Sequence, residues 1–220
     1  MAVDSNISSK VTAKPPKQAK PYHHGGLRTA LLDEAAGMIR EEGEAAFSMR
    51  KLAAALGVSR TAPYHHFEDK QALLCAIAEE GFKRFMSVMG ESLDDEASAS
   101  PTNMMRDYIR AYIAWAVSAP QYYDLMFGGH IWRSPKLTEP LRSVSHNAFK
   151  LYVDRVRHWQ ALGVVSKEVD ALRFSQVSWS TLHGLSRFLI DGVYLEGGEA
   201  ITQMTDTVVA VFMGAAVPEA

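Results

Sequence analysis

A single cysteine in 220 residues, Cys75, excludes an internal disulfide and suits a reducing cytoplasm. Inside Ala72-Leu-Leu-Cys-Ala-Ile77 it reads as a small buried filler rather than a reactive thiol. No apolar run is long enough to cross a bilayer, and the N-terminus lacks the apolar core of a signal peptide, so no membrane association is expected. Also missing are a Gly-rich phosphate loop, a Gly-x-Ser-x-Gly elbow and a His-Glu-x-x-His pair. Ser, His and Asp are present, but presence is not a triad, so no catalytic residue and no cofactor is assigned. Eight histidines include the pairs His23-His24 and His65-His66. Neighbours on a helix diverge, and no His-x-x-x-His or Cys/His cluster accompanies them, so no metal site is expected.

An excess of charge of either sign is missing too: 23 Lys and Arg against 25 Asp and Glu give a net charge of −2, an awkward value for a partner of nucleic acid. It is unevenly spread. Through Cys75 there are ten Lys and Arg against eight Asp and Glu; from Ala76 onward there are thirteen against seventeen. Residues 1–21 carry Lys10, Lys14, Lys17 and Lys20 with only Asp4 opposing them, three prolines and almost no large apolar side chains. They are expected to be a disordered basic tail, either simply solvated or an arm lying along phosphate.

The most informative stretch is residues 47–70. Ser48 is a good N-cap for a helix whose apolar face is Met49, Leu52, Ala53 and Leu56. Gly57 can end that helix in the left-handed region, Val58 plugs the corner, and Ser59 is placed to cap a second helix. Pro63 near the start of that second helix removes few bonds. Two short helices hinged at a glycine form a helix-turn-helix, the second helix of which enters a major groove. Its outer face offers Ser59, Arg60, Thr61, Tyr64, His65 and His66, followed by Lys70 at the next helix, while Ser48 and Arg50 flank it from the first. Such side chains bind phosphates, and Arg and Thr also read bases. Phe67 and the ring of Tyr64 are expected to pack inward. A core corner with a solvated polar face has the same spacing.

Gly57-Val58-Ser59, Tyr64-His65-His66-Phe67 and Lys70 resemble the DNA-binding domain of TetR-family transcriptional regulators. Tyr22-His-His-Gly-Gly-Leu-Arg28 resembles the entry to helix one in a branch where an acidic residue is common at the position of Gly26. Trp179-Ser-Thr-Leu-His183-Gly184 resembles a Trp…His-Gly signature in the ligand-binding domain of some members. The resemblance implies an all-α homodimer, usually a repressor, that leaves a double-stranded DNA operator when a small-molecule effector binds. A three-helix DNA-binding domain over 22–75 would be joined by a long helix to an effector-binding and dimerisation domain over 76–217. A DNA-binding regulator without small-molecule control, an activator or one answering to a protein partner, is the alternative.

Helical periodicity continues to the end of the chain. Helices are expected at about 28–42, 70–93, 102–118, 121–127, 138–162, 169–195 and 199–216, with 130–134 irregular. The middle of the chain concentrates aromatics, which serve equally as plain core or as pocket walls. Tyr112, Trp115, Phe127, His146, Phe149 and Trp179 are chosen as effector-contacting candidates, because in the family the helices of the middle and late chain enclose the pocket. Nothing there suits a tight charged ligand, so a moderately hydrophobic effector is expected. His183 lies one turn from Trp179, which suggests mutual packing or a bond to a dimer partner. Leu182, Leu185, Phe188 and Leu189, with Val177 and small Ser178, Gly184 and Ser186, suit close packing against a second subunit. Val208 and Phe212 belong to a last helix too apolar for a solvent face.

Overall fold

The structure is a computed structural model that describes residues 26–91, 100–194 and 198–214. The expected tail, and the part of the 22–28 segment before Gly26, lie outside the described residues. Among those described, every element is helical and none is a strand.

Helix α1 (Gly26–Glu42) buries Leu31, Leu32, Ala35 and Ala36 and ends at Gly43, whose φ of 82° is a left-handed conformation that favours glycine. Helix α2 (Met49–Ala55) starts at Ser48, whose hydroxyl accepts from the Lys51 N–H at 3.2 Å. It turns the corner at Gly57, with φ 66°. The second helix of the motif is shorter than expected: it is a single 3-10 turn over Ala62–His65. The reason is Pro63. In an α-helix its N–H would donate to the Ser59 carbonyl; lacking one, it leaves that carbonyl to Ala62 N–H at 3.0 Å. Ser59 therefore does not cap a helix, and its hydroxyl lies 3.2 Å from that of Thr61.

Helix α3 (Lys70–Glu91) begins in this small domain and continues into the larger one. Asp69 precedes it and accepts from the Ala72 N–H at 2.8 Å. Next come α4 (Pro101–Ser118) and α5 (Pro120–Met126), and then α6 (Gly129–Trp132). The segment expected to be irregular thus contains a helical turn, held by buried Ile131 and by Trp132 Nε1 donating to the Met126 carbonyl at 2.8 Å. Helices α7 (Glu139–Ala161), α8 (Ala171–Ile190) and α9 (Gly198–Phe212) complete the chain.

Helix α3 is the spine: it packs on α1, α4, α5 and α7. Its approach to α5 depends on Gly81, where a Cβ would lie 2.7 Å from Met126 Sδ and 3.3 Å from Tyr122 Cβ. Helices α8 and α9 both lean on α4. No described helix is long and apolar enough to cross a membrane.

Candidate DNA-contact surface and effector domain

In the small domain the inner side of the turn is sealed and the outer side is open. Pro63 and Phe67 are buried, while Ser59, Arg60, Thr61, Tyr64, His65 and His66 are exposed, as is Arg50 on α2. Tyr64 was expected to pack inward but is 55% exposed; the proline takes the core position because the 3-10 turn rotates the tyrosine outward. Arg28 lies over the Phe67 ring at 5.5 Å and braces the turn from α1. Half-buried Lys70 donates to the backbone carbonyl of Glu44, has its Nζ 3.7 Å from that residue's carboxylate, and faces the Phe47 ring. The result is a rigid polar ridge of hydroxyl, guanidinium, phenol and imidazole groups, chemically fitted to phosphate oxygens and base edges.

Several polar contacts tie this domain to the larger one, among them Lys136 donating to Asp69 at 2.7 Å. Asp124 of α5 receives Arg40 of α1 at 3.1 Å on one carboxylate oxygen and Arg187 of α8 on the other. Tyr122 of α5 donates to Asp33 of α1, which also pairs with Arg84 of α3 at 2.9 Å. His130 of α6 meets Glu44 at 2.7 Å. Sequence spacing signals none of these, because each joins residues more than forty positions apart.

In the larger domain Phe85 of α3 gathers the rings of Tyr112 (5.2 Å), Trp115 (5.3 Å) and Trp179 (5.8 Å). Phe149 adds to Trp179, and Phe127 to Tyr123 and His183. Five of the six effector candidates therefore converge, but edge-to-face contacts among them fill the space with their own atoms. His146 does not join them: it is exposed on the outer side of α7. His183 bonds within its own protomer, its Nδ1 lying 2.9 Å from the Tyr123 hydroxyl, which is 3.1 Å from that of Tyr112. Burial, and then the adjacent Arg187, lower the His183 pKa below its ordinary value, so the ring is held neutral. Burial pushes the Tyr123 phenol up to about 12.

Open space borders this cluster rather than entering it: Phe127 and His183 line a hollow of about 340 Å³ with Asp124, Gly128 and Arg187. A cleft of about 150 Å³ is lined by Phe85, Met86, Met89, Tyr108, Tyr152 and Arg155, between α3, α4 and α7. A wider groove of about 550 Å³, lined by Thr181, Leu185, Tyr194, Gln203, Met204 and Val208, separates α8 from α9. On the same two helices Val177, Phe188 and Val211 are exposed. Of the dimerisation candidates, Leu182 and Phe212 are instead buried within the protomer, as are Ser178 and Ser186. The helix face chosen by apolarity is the one that packs on α4. Leu185, Leu189 and Val208 are half-buried. Among the described residues no group of three or more His, Cys, Asp or Glu side chains could hold a metal ion.

Residues 31–77 match the family described as bacterial regulatory proteins, tetR family, and residues 105–212 match the tetracyclin repressor-like C-terminal domain. The chain belongs to the TetR family. It is a member of a family of transcriptional regulators, not an enzyme. Over 66 residues it is 39% identical to the HTH-type transcriptional repressor Rv1474c of Mycobacterium tuberculosis, a match spanning 30% of this chain and about a third (35%) of that relative. A solved structure of a Rhodococcus sp. RHA1 protein of unknown function is 31% identical, with a TM-score of 0.73 over 88% of this chain and 99% of that one. The TetR-like architecture is also that of AibR, solved with isovaleryl coenzyme A and operator DNA, at 22% identity and a TM-score of 0.63 over 86% and 99% of the two chains.

Proposed function

We propose that the chain is a homodimeric, sequence-specific DNA-binding regulator: a repressor held on a palindromic operator and released by a small, moderately hydrophobic effector. The ridge from Ser59 to His66 carries this reading, because its donors face solvent while Pro63 and Phe67 lock the backbone beneath them. Arg60 and Thr61 are assigned to base edges or phosphates, and Ser48, Arg50, Tyr64, His65, His66 and Lys70 to the backbone on either side. Two copies related by a two-fold axis through the α8–α9 groove would address half-sites separated by a helical turn or a multiple of it. The comparison with AibR, which was solved with a coenzyme A thioester, supports control by a ligand. The cleft between α3, α4 and α7 is where that ligand would enter, since α3 also carries Lys70 toward DNA. His183, which anchors Tyr123, gives the Trp179…His183-Gly184 segment a structural role consistent with the branch that it resembles.

One observation favours control without a small molecule: the aromatic cluster is filled by its own rings. Both readings share the DNA surface, and a cheap experiment tests it. Purified protein is mixed with fragments of its own genome, and bound fragments are footprinted. A protected palindrome is expected, and Arg60→Ala is expected to abolish it without unfolding the protein. Lys70→Ala should weaken all sequences about equally and flatten the salt dependence by about one unit of slope. Unchanged binding by both variants would remove these side chains from the interface.

A further inference from the structure

The cleft between α3, α4 and α7 has a composition that specifies what it takes. Its walls are apolar: Phe85, Met86 and Met89 from α3, Ala148 and Leu151 from α7, and the stacked rings of Tyr108 and Tyr152, 5.6 Å apart. Two polar groups interrupt them. Tyr152 spends its hydroxyl on Ser178 at 2.9 Å, but the Tyr108 hydroxyl makes no hydrogen bond among the described residues, although Tyr108 is only 5% exposed. Tyr108 lines the cleft, so a hydroxyl with no protein partner there is a donor available to a ligand's acceptor. Burial, reinforced by Tyr152 and opposed by Arg155, raises the phenol far above its ordinary pKa, so the group remains a donor. Arg155 is the second group. With Leu151 it also borders a second hollow, lined by Asp154 and His158, so Arg155 stands between the two openings. A guanidinium presents five donors, so donating to a ligand oxygen does not require it to abandon an existing contact.

We propose that this cleft binds a compact apolar carboxylate, its hydrocarbon part among Phe85, Met86, Met89 and Ala148 and its carboxylate between the Tyr108 hydroxyl and Arg155. The size follows from the volume: a cavity of about 150 Å³ accommodates a benzene-sized group. An aromatic or short branched acid fits; a long acyl chain does not. The site deepens the effector reading above and rests on it only for its consequence. An occupant touching Phe85, Met86 and Met89 bears on one end of the helix whose other end holds Lys70, so it would shift α3 relative to α7 and move the DNA ridge.

The test uses the full-length protein with sodium benzoate and 4-methylpentanoate, against benzyl alcohol and 4-methylpentan-1-ol as uncharged partners of the same shape. Binding is measured by calorimetry and by thermal shift. Both acids are expected to saturate a single site per chain and bind at least tenfold tighter than their alcohols. Tyr108→Phe, which removes an unpartnered hydroxyl and nothing else, should leave unliganded stability unchanged or raised and weaken acid binding about tenfold. Ala148→Leu should fill the cleft and abolish binding without loss of fold. No binding by either acid, equal binding of acids and alcohols, or parental affinity in Tyr108→Phe overturns the proposal. Operator binding is then measured with and without acid. Acid binding that leaves operator affinity unchanged upholds the site but defeats its role as the effector's seat.

Discussion

Arg40, in the last turn of α1, and Asp124, on α5, form an ion pair of 3.1 Å that joins the DNA-binding domain to the body of the protein. The same carboxylate receives Arg187 of α8, so three helices from both domains meet at one side chain. The Arg40 and Asp124 side chains are more than a third exposed, and exposed pairs contribute about 0–1 kcal/mol to stability. The contact matters for orientation more than for strength. Asp124→Asn is expected to lower the melting temperature by no more than about 3 °C, the scale of 1 kcal/mol in a chain of this size. Operator affinity should change several-fold, and the response of DNA binding to effector should weaken. Fluorescence anisotropy with a labelled operator decides this; an affinity and a response equal to the parent's would show that the bridge transmits nothing.

Gly81 presents the opposite case, a position with no charge and a large packing consequence. Alanine in a helix interior is worth about 1 kcal/mol over glycine. Here its methyl would meet the Sδ of buried Met126 at 2.7 Å and Tyr122 Cβ at 3.3 Å, and overpacking costs about 1–3 kcal/mol. Gly81→Ala should therefore lower the thermal midpoint by several degrees, and Gly81→Val by more. Calorimetry of the two variants checks the order; a rise for alanine would mean that Met126 repacks freely.

Phe188 and Leu182 sit on the same helix with opposite surroundings. Phe188 is 45% exposed in the protomer and its ring meets that of Tyr194, which lines the α8–α9 groove, whereas Leu182 is fully buried. Phe188→Glu should yield a folded monomer with native helix content, and Leu182→Glu should unfold because it buries an unpaired charge. Light scattering and circular dichroism separate the outcomes. A dimeric Phe188→Glu protein would place the subunit interface elsewhere.

His183 makes stability depend on pH. Burial and the neighbouring Arg187 depress its pKa below the ordinary 6.5, so the folded state prefers the neutral ring and the unfolded chain takes up a proton first. The stabilisation is complete above about pH 6.5 and is lost as pH falls from there through the depressed folded value. In the protonated ring Nδ1 can only donate to the Tyr123 oxygen. The melting temperature of the parent should drop more between pH 7.5 and 5.5 than that of His183→Gln; parallel profiles would assign the acid sensitivity to other groups.

Much of the fold was legible in the sequence. Local chemistry decides α1 and α2: apolar spacing, Ser48 as cap, and Gly43 and Gly57 where the chain must turn left-handed. The exposed ridge from Ser59 to His66 was legible for the same reason, apart from Tyr64, whose direction follows from how Pro63 tightens the turn. The larger domain was legible as helices but not as a site. Tyr112, Trp115, Phe149 and Trp179 do converge, yet whether rings meeting in space enclose a void or close it depends on rotamers and helix separations that periodicity does not contain. Phe212 shows the same limit: it looked like an interface residue, and its ring packs on Phe174 of its own chain at 5.5 Å.

The amino-acid order by itself determined the all-helical composition, the glycine-hinged motif and its outward polar residues, because each depends on neighbours within a turn or two. Tertiary structure alone decided which helix faces are buried, how Asp124, Asp33 and Glu44 join the two domains, and where space remains between α3, α4 and α7. Those outcomes depend on contacts between residues dozens of positions apart, and only the folded chain brings them within bonding distance.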